Sequence, residues 1–154
     1  MSKFNKNYND ANSSNWYAII SGYEDIVFKL VRCPIPNISL GSITVGTSEN
    51  VDIKIAGDKM IFDEPVLEFY VDEGYDNYLL FVEHMFHNSQ NTDKQYFDID
   101  IHLLDNHKNF IKKRFTLVDA FVNNLSELDL ENNDEETNMK CTATIVFTEF
   151  KRGE

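Results

Sequence analysis

The chain has 154 residues, a formal net charge of −12 at pH 7, and 42% apolar residues. These values predict a single folded domain and exclude a wholly disordered chain. The acidic balance argues against a nucleic-acid-binding protein, because such proteins replace phosphate counterions with clustered lysine and arginine. No apolar run reaches the ~20 residues of a membrane span, and the polar N-terminus lacks a secretory signal, so we expect a cytosolic protein without a membrane anchor.

The first third of the chain predicts a polar arm followed by strands. Residues 1–15 are rich in asparagine and serine and predict a flexible N-terminal arm, with a single domain over residues 16–154. Ile26–Cys33 has the apolar, β-branched content of a strand, which two prolines then end. Ser39–Val45 predicts a second, weaker strand that Gly41 interrupts and Gly46 follows.

The middle of the chain predicts two strands and a helix. Asn50–Ala56 and Val66–Val71 alternate apolar and polar residues, with a turn signal at Gly57-Asp58 between them. Acidic residues and a helical apolar spacing then predict one amphipathic helix over about Tyr75–His87. The residues expected to form its core-facing stripe are Tyr75, Tyr78, Leu79, Val82, Met85 and Phe86.

The last third predicts a hairpin and a closing strand. Tyr96–Leu104 alternates most regularly, and Phe110–Val118 is its expected return strand. Asp119–Leu130 predicts a short helical turn, Glu131–Asn138 an acidic loop, and Met139–Phe150 a long final strand. About seven strands with one helix predict a mainly β fold, an antiparallel β-barrel or sandwich with one packed α-helix.

Two pairs of side chains could carry chemistry, and each has a simpler structural explanation. His84 and His87 lie one helical turn apart, but two ligands do not make a metal site, so we expect surface histidines. Asp98 and Asp100 share a strand face at about 6–7 Å, a spacing that some paired catalytic carboxylates use. Without a recognisable cleft, we expect them to belong to a solvated polar face.

The remaining candidates also favour structural roles. Cys33 and Cys141 are far apart in the sequence and predict free thiols in or near the core, in preference to a disulfide or a nucleophile. The basic cluster Lys112–Arg114 is too small for a nucleic-acid surface, and we expect it to pair with an acidic strand or another subunit. No nucleophile or phosphate-loop motif is present, so the sequence predicts no enzyme, no cofactor and no metal.

Several short motifs follow one another in a recognisable order. They are Cys33-Pro34-Ile35-Pro36 with Gly41, Ile55-Ala56-Gly57-Asp58-Lys59, Phe62-Asp63, Val71-Asp72-Glu73 leading to Asp76 and the helix, and Leu125, Leu128 and Leu130 before the final strand. In this order, over about residues 26–150, the chain resembles the tail-tube proteins of contractile-tailed bacteriophages. Type VI secretion tubes share that fold.

This resemblance implies a structural virion protein of the phage tail. Six subunits would form a ring with one continuous inner β-barrel, and stacked rings would form the conduit for DNA ejection inside a contractile sheath. The implied partners are other copies of the chain, the sheath, the baseplate and the tail terminator, with DNA passing through without specific binding. Assembly would take place in the host cytoplasm.

The same resemblance implies roles for particular residues. Asp52, Asp98 and Asp100 are expected to line the lumen, where carboxylates keep DNA from adhering. The helix is expected to cover the outside of the barrel. Contacts with neighbouring subunits or the next ring are expected from the N-terminal arm and from the segment Gly41–Asn50. The residues expected to make the contacts of that segment are Gly41, Gly46, Glu49 and Asn50.

Alternatives remain open from the sequence. One is a tube-initiator ring of the baseplate or a secretion-system tube, although initiators usually carry extra domains and this chain is short. A second, of a different class, is a monomeric β-barrel that binds a small ligand or a protein. Oligomeric state separates these classes, because a tube protein forms hexamers or polymers.

Overall fold

A computed structural model of the chain describes residues 9–47, 49–132 and 137–153. Across these ranges the chain forms nine strands and two helices. They are β1 (Trp16–Ile20), α1 (Glu24–Phe28), β2 (Leu30–Arg32), β3 (Ile38–Val45), β4 (Ile53–Phe62), β5 (Val66–Tyr70), α2 (Asp76–Gln90), β6 (Phe97–Leu104), β7 (Phe110–Leu125), β8 (Lys140–Val146) and β9 (Glu149–Gly153). Every strand pairing is antiparallel, so the predicted mainly β fold is confirmed.

Seven of these strands form one sheet in the order β1-β6-β7-β8-β5-β2, with β9 pairing β7 beside this path. The sheet ends at β1 and β2 and is not closed into a barrel. Strand β7 holds the two halves together, because its first part pairs with β6 and β9 and its last part pairs with β8. The strands β3 and β4 form a separate two-stranded sheet.

The core lies between the two halves of the main sheet. Ile99 and Leu117 come from the half that contains β6, Leu67 and Phe69 come from β5 in the other half, and all four are fully buried in one cluster. Phe81 of α2 is also fully buried there. Complete burial of such a side chain stabilises the fold by about 1.5–3 kcal/mol, so this cluster holds the layers and α2 together.

Two predicted elements near the N-terminal third are wrong. The strand expected at Ile26–Cys33 is replaced by α1 and the short β2, because fully buried Ile26 donates its N–H to the carbonyl of Tyr23 and starts a helical turn. The turn expected at Gly57-Asp58 lies inside the continuous strand β4. There the pairing of β3 with β4 shifts register between Leu40 and Ser42, which accommodates the extra residues as an irregularity of the strand.

Two more predictions fail in the C-terminal third. The helical turn expected at Asp119–Leu130 is largely strand, because β7 continues to Leu125 and pairs with β8. The single closing strand is divided into β8 and β9, and between them the N–H of Thr148 donates to the carbonyl of Val118 at 3.0 Å. Residues 1–8 of the predicted arm and residues 133–136 of the predicted acidic loop lie outside the described residues.

Helix α2 is present as predicted, but its core-facing stripe was predicted only in part, since Tyr78 and Met85 pack against the core and the buried residues were missed. Its buried residues are Asn77, Phe81 and His84, whereas Leu79 and Phe86 of the expected stripe are 46% and 58% exposed. Two of the three buried residues are polar and have hydrogen-bond partners inside the fold, which a hydrophobic pattern does not register. The predicted acidic start is confirmed, because the carboxylate of Asp72 accepts the N–H of Asp76 at 2.9 Å.

Candidate assembly surface

The separate hairpin of β3 and β4 is the most exposed apolar part of the described chain. Its register pairs Ile43 with Ile55 and Val45 with Ile53, so these four side chains share one face. Ile43 is 57% exposed and Ile55 is 50% exposed. An antiparallel pair this long normally covers its apolar face with other structure, and in the described residues nothing covers this one.

A close backbone approach shapes the middle of this hairpin. A Cβ atom on Gly57 would lie 2.7 Å from the carbonyl oxygen of Gly41, whereas a Cβ on Gly41 would lie 3.7 Å from the carbonyl oxygen of Lys59. The two strands therefore tolerate a side chain at Gly41 but need glycine at 57. The irregularity bends and twists the hairpin at this point.

The tip of the hairpin contains most of the residues that the sequence predicted for subunit contacts. Gly46, Glu49 and Asn50 are exposed there, and so is Asp52, which precedes β4. Asn50 has a left-handed backbone conformation with φ 55°, and the hydroxyl of Thr47 donates to the carbonyl of Val51. These features define the conformation of the turn at the hairpin tip. Ser48 lies outside the described residues.

Two of the three predicted lumen residues lie on another surface, the face of β6 that points away from the core. Asp100 accepts a hydrogen bond from the hydroxyl of Thr116 at 2.6 Å, and Asp98 accepts the N–H of Asp119 at 3.1 Å. The structure thus brings Asp98 and Asp100 together on β6 and leaves Asp52 on the hairpin. The expected polar face is present, and its carboxylates are also used to hold β6 to β7.

That face carries both signs of charge. Asp100 of β6 pairs with Thr116 of β7, which pairs in turn with Lys151 of β9. His102 of β6 pairs with Arg114 of β7. Tyr17 of β1 stacks on His102 with ring centroids 4.5 Å apart. The face is therefore polar with charge of both signs, and it includes Arg114 of the basic cluster that the sequence expected to pair with an acidic strand or another subunit.

His84 is a buried hydrogen-bond centre that the sequence prediction missed. The N–H of Val122 donates to Nε2 at 3.3 Å, so Nε2 carries no proton and Nδ1–H donates to the hydroxyl of Tyr23 at 3.0 Å. Burial, followed by the positive charge of His87, lowers the pKa of His84 below its usual value. His84 is 2% exposed and not a surface residue as predicted; it joins α2 to β7 and to Tyr23.

The other candidate groups show no reactive environment. Both cysteines are free thiols, with Cys141 buried and Cys33 half-buried, as the sequence predicted. Burial raises the pKa of Cys33 to about 12, which keeps it protonated and unreactive at neutral pH. Among the described residues no group of three His, Cys, Asp or Glu side chains is arranged to hold a metal ion, and no helix there is long and apolar enough to cross a membrane.

Known proteins resemble this chain in fold, whereas comparisons of sequence find no match. No protein family matches the chain, and no curated protein matches it. Among solved structures, a chain in the cryo-EM structure of the anti-feeding prophage (AFP) baseplate, 6-fold symmetrised, superposes with a TM-score of 0.68 at 15% identity. That match covers 94% of this chain and 95% of that chain.

Chains from an extracellular contractile injection system named PVC are similar as well. The match in its sheath/tube terminator has a TM-score of 0.66 and covers 94% of this chain and 96% of that chain, at 12% identity. The match in its sheath-tube complex has a TM-score of 0.61 and covers 94% and 92%, also at 12% identity. The chain has a contractile tail-tube-like fold.

This tail-tube-like fold confirms the resemblance that the motif order predicted. At 12–15% identity the similarity establishes the fold alone. The matched structures are tube, baseplate and terminator assemblies, so the proteins that share this fold are structural components of contractile particles.

Proposed function

We propose that this chain is a structural tube protein of a contractile tail, forming hexameric rings that stack into the conduit inside a contractile sheath. The observation that carries the proposal is the β3–β4 hairpin, whose apolar face is exposed on a fold otherwise found in sheath and tube assemblies. The conduit passes DNA during ejection, and the chain performs no catalysis. Its partners are other copies of itself, the sheath, the baseplate and the tail terminator.

The hairpin supports self-assembly because it lacks a core of its own. An isolated two-stranded hairpin is at best marginally stable in water, and soluble monomers rarely expose apolar patches beyond a few hundred Å². Ile43, Ile53 and Ile55 are each at least half exposed. A neighbouring subunit that covers this face gives the hairpin the buried partner that the described chain does not supply.

Open sheet edges support ring closure. Strands β1 and β2 end the main sheet, and among the described residues no strand pairs with the outer edge of β1, where Tyr17 and Ile19 are exposed. Joining such edges between copies satisfies their backbone groups and removes a site of uncontrolled strand pairing. The number six is proposed from the AFP baseplate structure, which is 6-fold symmetrised.

The orientation of each subunit follows from its two outer faces. We assign the face with Asp98 and Asp100 to the lumen, where charge of both signs with fixed carboxylates offers DNA no continuous basic surface. We assign α2 to the outside, where its exposed Leu79 and Phe86 are available to the sheath. Asp52 at the hairpin tip, with Gly46, Glu49 and Asn50, belongs to the contacts between rings.

A pair of double variants tests the proposal. The purified wild-type chain, concentrated overnight, should give rings or hollow tubes by negative-stain electron microscopy. Ile43→Asp with Ile55→Asp should abolish them, because two carboxylates would be buried at the contact. Leu79→Asp with Phe86→Asp is the matched control, since it makes the same chemical change on the outward helix and should assemble. A wild-type chain that stays monomeric even with a baseplate would refute the proposal.

The lumen assignment has its own test. In cryo-EM density of assembled rings, β6 should present Asp98 and Asp100 to the central channel and α2 should lie outside. Rings in which those carboxylates point away from the channel would refute the lumen assignment while leaving the tube proposal intact.

A second candidate is a baseplate ring that initiates the tube. It is favoured by the TM-score with the AFP baseplate structure, 0.68, against 0.61 with the PVC sheath-tube complex. An initiator should form single rings that nucleate a different tube protein and do not polymerise alone. Long tubes from the pure chain would exclude this candidate.

A further inference from the structure

The cations of this acidic protein are concentrated at one end of β7. Of 14 lysine and arginine residues, five lie there, and all five are exposed. They are Lys112, Lys113, Arg114, Lys151 and Arg152. The register places Arg114 opposite Gly153 and Phe115 opposite Arg152, so β9 sets its cations beside those of β7. We call these five residues the basic end.

The basic end surrounds an open depression of about 540 Å³ lined by Lys113, Arg114, Phe115, Arg152 and Gly153. The side chain of Arg114 lies across Gly153, since a Cβ there would come within 2.7 Å of its Nε. None of the three cations in the lining forms an ion pair with a described residue. The depression therefore suits a segment that brings carboxylates together with an apolar group for Phe115.

Such a segment begins where β7 ends. Residues 126–139 contain six acidic residues and no lysine or arginine. The start of this segment is held in place, because Ser126 N–H donates to the carbonyl of Thr142 and its hydroxyl accepts the N–H of Thr142, both at 2.9 Å. Leu128 packs against the core, while Glu127 and Asp129 are exposed. We call Glu127 and Asp129 the acidic end; Leu130 beside them is 75% exposed.

The two ends cannot meet within one chain. Strand β7 has 16 residues, and at ~3.3 Å per residue its ends lie several tens of ångströms apart. A second copy in head-to-tail orientation brings them together. We propose that the basic end of each copy binds the acidic end of the next copy along the tube and thereby fixes the direction in which rings stack. This inference rests on the proposed tube function.

Complementary charge gives the contact between rings a direction, which the apolar face of the hairpin does not provide. Apolar burial is not directional, whereas complementary charges favour one orientation and oppose the reverse one. In an inverted ring, basic end would face basic end and acidic end would face acidic end. The arrangement therefore predicts tubes of uniform polarity.

Charge reversal tests this inference in two full-length variants. Lys113→Glu with Arg114→Glu and Arg152→Glu reverses the three cations that line the depression, so the basic end keeps two lysines against three glutamates and both ends are acidic. Glu127→Lys with Asp129→Lys makes both ends basic. Each variant alone should keep rings but need about tenfold more protein to form tubes, which corresponds to about 1.4 kcal/mol in the free energy of adding one ring. Mixing the two sets of rings should restore tubes, which also shows that both variants fold. Asp25→Lys with Glu83→Lys is the control for the Glu127→Lys, Asp129→Lys variant, because it makes the same charge change at exposed positions outside both ends, and it should assemble normally.

The outcomes separate this inference from the function it rests on. Sedimentation and negative-stain microscopy at ~0.1 M salt, where the Debye length is ~10 Å, provide the readout. If both variants form tubes like the wild type, the stacking inference is refuted and the tube function stands. If, in addition, the wild type retains duplex DNA and the variant with Lys113, Arg114 and Arg152 changed to glutamate does not, the basic end is a DNA surface instead. A wild-type chain that forms neither rings nor tubes overturns both proposals.

Discussion

Strands β6 and β4 have the same kind of sequence and opposite surroundings. Both alternate apolar and polar residues, yet Ile99 and Ile101 of β6 are 0% and 1% exposed, while Ile53 and Ile55 of β4 are 52% and 50% exposed. Strand β6 lies between β1 and β7 and faces the core, whereas β4 has β3 as its one partner within the part of the chain that the structure describes. Alternation thus specifies a strand with an apolar face, and the rest of the fold specifies whether that face is covered within the chain.

The difference indicates where stability and assembly are encoded. The apolar residues of β6 stabilise the subunit, because Ile99 and Ile101 are already buried within the isolated chain. The apolar residues of β4 contribute little to the isolated subunit and are available to a second copy. Substitutions in the two strands should therefore separate folding from assembly.

The largest effect should come from the covered strand. Ile99→Ala should lower the free energy of unfolding by about 3 kcal/mol, because it removes fully buried apolar atoms and leaves a cavity. Urea denaturation of the isolated subunit measures this. A loss below about 1 kcal/mol would mean that β6 is not packed as described.

A second effect concerns the hydrogen bonds by which His84 joins α2 to Tyr23 and to β7. His84→Phe should cost about 1–3 kcal/mol, because Tyr23 and the N–H of Val122 lose their partner. The pKa of His84 is lowered in the fold, so its contribution is complete above its unfolded pKa of about 6.5 and is lost as pH falls below that value.

Urea denaturation at several pH values between 7.5 and 5.5 tests the titration of His84. The variant should lose less stability over this range than the wild type does. His107→Phe, at an exposed turn, is the control and should keep the wild-type pH dependence. Equal pH dependence in the wild type and His84→Phe would contradict the hydrogen-bonding scheme.

A third effect is confined to the uncovered hairpin. Gly57→Ala should force β3 and β4 apart, because its Cβ would lie 2.7 Å from the carbonyl oxygen of Gly41. Amide hydrogen exchange in the hairpin should become about tenfold faster or more, with the core unaffected. Gly41→Ala is the matched control, since its Cβ meets its nearest atom at 3.7 Å and should be tolerated.

The smallest effect on stability should come from Ile55→Ala. This side chain is half exposed, so the free energy of unfolding of the subunit should change by less than about 0.5 kcal/mol. The concentration needed for ring or tube formation should nevertheless rise, as measured by sedimentation. A large loss of subunit stability, or assembly at the wild-type concentration, would remove the contrast between β4 and β6.

The sequence predicted the fold class well where pattern and packing agree. The alternation of Tyr96–Leu104 gave the strand β6, and acidic residues before an apolar spacing gave α2 with Asp72 at its start. The sequence prediction failed at Ile26–Cys33. There Ile26 is buried as part of a helical turn, and tertiary packing overrides the strand propensity of the segment. The prediction also missed part of the buried face of α2, because Asn77 and His84 are polar residues whose burial is compensated by hydrogen bonds.

The sequence predicted assembly roles for the segment Gly41–Asn50 and for Asp98 and Asp100, and these roles stay predictions. It could not indicate that Gly57 belongs to the same hairpin, because the dipeptide Gly57-Asp58 is also typical of a turn. It could not show that Arg114 and Lys151 share the face of Asp100, because that depends on the register of β7 with β9.

Composition, alternation and motif order by themselves determined an acidic, mainly β chain with one long helix, since these depend on local spacing and on the ratio of apolar to charged residues. Tertiary structure alone decided which apolar faces are covered, which carboxylates lie beside cations, and that His84 is buried. These properties depend on contacts between residues far apart in the chain, as when the N–H of Val122 meets His84. Local sequence does not encode such distances, because they are fixed when the two halves of the sheet close over one core.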